Sequence, residues 1–472
     1  MTRRKYVSTG VRAAIGVVTL AIGAGVIAAA TALPLPSFSE TPAGRVVTPV
    51  ALDQQRVCSG SLLRLAGQSG DSATSVSATG SASTVTGAGD GDAPEVSTLK
   101  GPGGTRSKPL LITAAAKGST TVPLVAGAQS QDAQSTDLTG FAASPCSEPT
   151  SSSWLVGGST ETGRTTLIDL VNPTDVNSTV DLAVYGESGK VNGPGLEGIV
   201  VAPNSEKAVP LSGFATGLAS PVVHVTSRGG QITANLQVGV VRTLEPGGAD
   251  TVSAAAGPSK RQTIPGIIVR DSDAVTSKSG QDGYDDLTTI LRAFVPGTGN
   301  ADLTIQLRTP TGNGATFSVT AQAGQVTDVP LDGLPNGQYT ATIAASVPVV
   351  AGVRSSSVSK GGAIDLAWVG AAPALAGSTM LAVAQGPDAT LTLANPTTKA
   401  ISARLQSIGG TPTTLTVPAG ASLTQKLSTG SVGTLTKANG LRAAVSYSAS
   451  GRIAAYALFS PTAVSTPVKV YP

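Results

Sequence analysis

The sequence predicts an all-β chain of tandem immunoglobulin-like β-sandwich units behind an N-terminal transmembrane helix or signal segment, and three observations predict it. Apolar and polar residues alternate over short runs, the period of a strand with one buried face. Gly (57) and Pro (31) are plentiful among 472 residues while charged residues make up 12%, against about 25% in ordinary domains, whose amphipathic helices carry Lys and Glu on their outer faces. A set of alternating runs also returns three times, with a period of about 100 residues, too long for a propeller blade or a small solenoid repeat. Tandem sandwiches outrank a continuous solenoid on that period.

The elements follow in chain order. Residues 1–12 hold Arg3, Arg4, Lys5 and Arg12, and residues 13–33 form an uncharged apolar run. A basic region before such a run directs a chain into the export pathway. A span of about 20 residues is long enough for a retained membrane anchor, while Ala30-Thr31-Ala32 is a signal-cleavage pattern; both readings are open. Residues 34–45 read as a linker. The formal charge of +3 belongs to this leader: without its four basic residues the chain carries −1. That balance offers no electrostatic footprint for nucleic acid.

Cys58 and Cys146 are the two cysteines. In an exported chain an even count favours a disulfide, here closing a loop of about 90 residues, for which chain entropy suggests about 4–5 kcal/mol. Residues 46–149 read as a divergent β-unit with a Ser/Gly-rich loop, and residues 150–258, 259–360 and 361–472 as three sandwich units.

Each full unit shows the same order of strands. Ile168 and Leu170 precede "NPTD" and are followed by Val180, Leu182 and Val184; Leu391 and Leu393 precede "NPTT" and are followed by Ile401, Ala403 and Leu405. The middle copy runs Leu291 and Ala293, Val295-Pro296, then Leu303, Ile305 and Leu307. Proline lacks an N–H, so these sites read as strand ends, and the copy without asparagine suggests that termination is what the unit requires. Further on, "VVHVTSRGGQITANLQVGV" and "LRAAVSYSASGRIAAYALF" read as hairpins, and Ser346-Val347-Pro348 replaces that turn in the middle copy. "SSWLVGGST", "RQTIPGIIV" and "DLAWVGAAP" read as lead-in strands.

The ordered blocks "DLTGFAASPCSEPTSSSWLVGG", "GRTTLIDLVNPTDVNSTVDLAVYGESG", "VVHVTSRGGQITANLQ" and "SKRQTIPGIIV" resemble an exported bacterial family catalogued as domain of unknown function 5719. The resemblance covers most of the chain after residue 45. "VCSGSL" and "ASPCSE" are similar to the family's two cysteine segments, with Ser59 where a proline is common. The resemblance implies an extracytoplasmic, membrane-linked protein of high-GC Gram-positive bacteria. It implies no established activity and supplies no catalytic residue.

Candidate chemistry is sparse. His224, the single histidine, alternates with Val223 and Val225 in a strand and reads as a surface or groove residue, since no G-x-S-x-G elbow supplies a triad nucleophile. Asp90 and Asp92 in "GDGDAPE", and Asp282, Asp285 and Asp286 in "QDGYDD", lack the ligand spacing of an EF-hand loop and read as solvated loop charge. Trp154 and Trp368 occupy similar places at unit starts and read as core. No cofactor, metal or catalytic residue is expected. The chain reads as a non-enzymatic, membrane-anchored or secreted cell-envelope protein that offers β-sandwich surfaces to a protein or cell-wall glycan. The rival readings are an accessory subunit beside a membrane glycosyltransferase in polysaccharide assembly, and a cryptic cell-wall hydrolase.

Overall fold

A computed structural model describes residues 3–32, 45–47, 52–65, 76–89, 93–102, 108–116, 122–312, 314–462 and 468–470. Two compact units divide the chain: residues 1–49 with 465–472, and residues 50–464. In the first, Arg3–Ala32 is one helix and Arg45–Val47 pairs with Val468–Val470. Among the described residues no helix is long and apolar enough to cross a membrane. The segment expected over residues 13–33 is thus helical through Ala32, and membrane crossing is not shown. Most of the expected linker, residues 34–44, lies outside the described residues.

The second unit is almost entirely β. Its fourth sheet pair is the simplest to read. One sheet runs Thr379–Ala382, Val432–Thr436, Ile401–Ser407, Thr413–Val417; the other runs Ser422–Lys426, Thr390–Ala394, Arg442–Ala449, Arg452–Ala457. Leu391, Leu393, Ala403, Leu405 and Val445 meet in the core between them, as the period-two alternation requires. The second pair has the same order, with Ile168, Leu170, Val180, Leu182 and Val184 in its core. In the third pair Leu291, Ala293, Leu303, Ile305 and Leu307 do the same. The segment over residues 54–145 keeps a shorter version, ordered Gln54–Cys58, Leu110–Ala114, Glu95–Thr98 in one sheet and Ser83–Ala88, Val125–Gln134, Thr139–Pro145 in the other. Parts of its Ser/Gly-rich stretch are therefore strands.

Two turns and one strand differ from expectation. Val222–Gly229 and Thr233–Arg242 lie in opposite sheets, so Arg228–Gln231 is a crossover between sheets rather than a hairpin. Its counterpart in the third pair has no turn at all. Gly337–Val358 is a single strand whose first half pairs with Ala301–Arg308 and whose second half pairs with Ile290–Phe294, a strand that turns a sandwich corner. The expected hairpin around Ser450-Gly451 is present, with Gly451 at φ 70°; left-handed backbone there suits glycine. Ile364–Gly370, expected to lead into the last unit, instead pairs with the second half of the long strand and ends the third pair. Trp154, in a first strand, and Trp368, in a last one, are consequently not equivalent.

The last strands of the four sheet pairs meet one another. Thr139–Pro145 packs on Glu245–Val252, that strand on Ile364–Gly370, that on Arg452–Ala457, and the fourth returns to the first. The expected string of tandem units thus closes into a ring. These strands are buried on both faces and lose the polar alternation of the outer strands. They are built from small residues, "GFAAS", "GGAD" and "IAAY" among them, because four strands crowd one axis. A Cβ on Gly140 would meet Ala249 N and Asp365 Oδ1.

Candidate functional site

Charged groups mark two kinds of junction inside the ring. At the axis, Asp365 Oδ2 accepts the backbone N–H groups of Phe141 and Ile453, both at 3.0 Å, and Oδ1 accepts that of Ala249 at 3.4 Å. One carboxyl therefore ties the inner strands of the other three sheet pairs. Burial pushes its pKa up to about 8, beyond what the four backbone N–H groups pull it down. Asp250 accepts Trp368 N at 2.7 Å, and burial raises it well above the usual carboxylate range.

Between neighbouring pairs, arginines take over. Arg292 forms a fork onto Asp328 at 2.8 and 2.9 Å and donates to the carbonyls of Gly158, Ala219 and Pro221 in the second pair. Its guanidinium also lies 4.7 Å from the Trp368 ring. Burial acts to raise Asp328, but the Arg292 charge and hydrogen bonds outweigh it and hold the group below its ordinary value. Asp286 is gripped the same way by Arg242 at 2.8 and 2.9 Å and Arg164 at 3.0 Å, and is likewise lowered against the effect of burial. These contacts join the third sheet pair to the second.

The places open to a ligand lie elsewhere. A cleft of about 520 Å³ between the third and fourth pairs is lined by Arg270, Asp271, Asn336, Gln338, Asp388 and Lys426, with Thr390 and Ser448. Asp271 (φ 55°) and Asp388 (φ 32°) both sit there in left-handed backbone, a conformation that collects at binding sites. Asp271 Oδ2 is held by the hydroxyls of Ser357 at 2.6 Å and Ser450 at 3.1 Å, while Asp388 and Lys426 are exposed. The cleft therefore offers donors and acceptors of both charges. A smaller pocket of about 150 Å³ lies near the C-terminal ends of three inner strands. It is mainly apolar, with Met380, Tyr456 and Phe459, and carries the Arg56–Glu148 ion pair at 2.8 Å.

Cys58 and Cys146 are disulfide-bonded, with Cα atoms 4.2 Å apart, and Cys146 lines the apolar pocket. His224 is half-buried, stacks on Trp154 at 4.1 Å and shares a hydrogen bond with Ser152 Oγ at 2.9 Å; burial lowers its pKa. Trp368 is core, whereas Trp154 is partly covered. Asp282 and Asp285 are exposed, and Asp286 belongs to the arginine cluster rather than to solvent. Asp90 and Asp92 lie outside the described residues. Among the described residues no three His, Cys, Asp or Glu side chains gather as a metal centre.

Asparagine in the Asn-Pro turns matters more than the middle copy suggested. Asn395 Nδ2 donates to the carbonyls of Lys399 and Val417 at 2.8 and 2.9 Å, and Oδ1 accepts from the N–H and hydroxyl of Thr397. Asn172 repeats this with Val176, Val201, Ala202 and Thr174. In the middle copy Asn300 Oδ1 accepts Ala323 N at 3.1 Å from outside the motif. Sequence reading passed over Arg270, Asp271, Asn336, Asp388 and Lys426. The one available signal was a charge closing an apolar strand, as in "GIIVRD".

The fold and the cleft define an all-β repeat protein with a polar groove between repeats. The chain matches the family of unknown function (DUF5719) over residues 102–430 and belongs to it. No curated protein matches. Among solved structures, a biofilm-associated protein BSP domain aligns at 10% identity over 73% of this chain and 64% of that one, with a TM-score of 0.12. The chain spans under two thirds of that structure, and a likeness of this grade carries no argument.

Proposed function

We propose that this is a non-enzymatic, extracytoplasmic binding protein of the cell envelope, tethered or exported through its N-terminal helix, that holds a cell-wall glycan in the cleft between its third and fourth sheet pairs. The cleft carries the reading: Arg270, Asp271, Asn336, Gln338, Asp388 and Lys426 give the mixture of donors and acceptors that sugar hydroxyls use. The Cys58–Cys146 bond agrees with an oxidising compartment. The third and fourth sheet pairs are read as immunoglobulin-like units, because in each the second and fifth strands pair in one sheet and the third and sixth in the other.

Co-sedimentation of the purified chain with insoluble cell-wall glycan tests this. Retention is expected for the native chain, with at least a several-fold loss in Lys426→Ala and in Asp388→Gly, which keeps the left-handed backbone while deleting the carboxylate. Equal retention of native and variant chains refutes the cleft. The apolar pocket with its exposed Phe459 favours a second reading, an accessory subunit docked on a membrane protein of polysaccharide assembly. A stable detergent complex lost in Phe459→Ala and retained in Lys426→Ala selects that role.

A further inference from the structure

The second sheet pair carries a group of buried oxygen atoms that belong neither to the joints nor to the cleft. On the strand Arg164–Asn172, Asp169 is directly opposite Asn235; two residues along the same face, Val171 is flanked by Glu206 on one neighbouring strand and Thr233 on the other. Asp169 lies about 5–8 Å at Cβ from each of the other three, whereas Glu206 and the strand of Thr233 and Asn235 stand about 10 Å apart across it, so the four side chains converge over Asp169. All four residues are at most 9% exposed. Asp169 Oδ1, Glu206 Oε1, Asn235 Oδ1 and Thr233 Oγ1 have no hydrogen-bond partner. No cation pairs with either carboxylate among the described residues, and burial together with mutual repulsion raises Glu206 well above its ordinary range.

The group is covered on one side by the first sheet pair, and Thr233 borders the apolar pocket. Val57, Leu99 and Leu111 from the first sheet pair close over Val171, and Glu206 N–H donates to Lys100 O at 2.8 Å. Two buried carboxylates without a basic partner require a proton or a positive ion. A shared proton joins two oxygens and leaves the amide and hydroxyl acceptors orphaned. A hard divalent ion takes them all: two carboxylates, one amide oxygen and one hydroxyl supply up to six oxygens, the lower end of calcium's usual six to eight. Magnesium demands a stricter octahedron, and zinc prefers nitrogen and sulfur ligands.

We propose that Asp169, Glu206, Asn235 and Thr233 form a binding site for one calcium ion within the second sheet pair, beside the face that the first sheet pair covers. The sequence reading expected no metal, because these four residues lie on three strands and form no loop motif. Thermal melts of the whole chain in EDTA and in about 5 mM calcium chloride test it, the concentration suiting a weak extracellular-type site. A rise in Tm of about 2 °C or more is expected on adding calcium, absent from the isosteric Asp169→Asn/Glu206→Gln variant. Titration calorimetry with calcium chloride on both proteins gives a readout independent of folding stability: one site in the native chain, none in the variant. An equal calcium response in both proteins places the ion elsewhere and overturns the proposal. So does a native chain indifferent to calcium whose double variant is more stable above pH 7, the signature of a carboxyl pair that merely shares a proton.

Discussion

Asp365 and Asp328 are both buried acids that join sheet pairs, yet they differ in partner. Asp365 at the axis has backbone N–H groups alone, whereas Asp328 has the fork of Arg292. N–H dipoles offset part of the desolvation cost and leave the pKa raised to about 8; a full opposite charge reverses the balance and leaves the pKa lowered. Both joints hold strands together, and their pH dependences run in opposite directions.

The largest expected effect comes from breaking the charged joint. Arg292→Ala leaves Asp328 buried without its cation and opens three carbonyls of the second pair, for an expected loss of about 3–5 kcal/mol in denaturant unfolding. A loss under about 1 kcal/mol would mean that Asp328 is rehydrated through its open side. Asp365→Ala should follow, at about 2–4 kcal/mol, since each orphaned N–H costs about 1–3 kcal/mol and some relaxation is available along the axis.

The pH response sharpens the contrast. Because folding raises the Asp365 pKa from the ordinary 3.8 to about 8, the native state holds a proton that the unfolded chain releases. Its contribution is therefore complete below about pH 4 and declines as pH rises towards and through 8. Asp365→Asn should flatten that decline in melts between pH 6 and 9, at the expense of some stability at pH 6. Asp286 and Asp328 act the other way: their contribution is present above about pH 4 and is lost as pH falls through their lowered values. An Arg292→Ala chain should accordingly lose part of its acid sensitivity below pH 4. The smallest effect is set by the Asn-Pro turns. Asn395→Ala should cost about 1–2 kcal/mol in denaturant unfolding, because it orphans the Lys399 and Val417 carbonyls and the Thr397 N–H.

The outer strands were legible because each has one wet and one dry face. Val180, Leu182 and Val184, or Leu303, Ile305 and Leu307, announce their side by alternation, and all are buried. The inner strands were not, since burial on both faces erases the alternation that marks a strand's place. "AIDLAWVG" looked like the beginning of a unit for that reason, although a lone aspartate inside such a run was a visible sign of a polar joint. The cleft residues were harder still. Arg270 and Lys426 are separated by more than a hundred positions and share a wall because two repeats pack together.

Composition and periodicity by themselves determined that the chain is β-rich, that a strand order recurs with a period near one hundred residues, and that Cys58 and Cys146 suit one another as partners. These are local or additive properties, set by side-chain period, turn chemistry and count. The tertiary structure decided that the repeats close into a ring, that Val222–Gly229 and Thr233–Arg242 belong to opposite sheets, and that Asp365 meets three other repeats. Such contacts depend on how whole sheets pack, and packing couples residues whose separation along the chain carries no local signal.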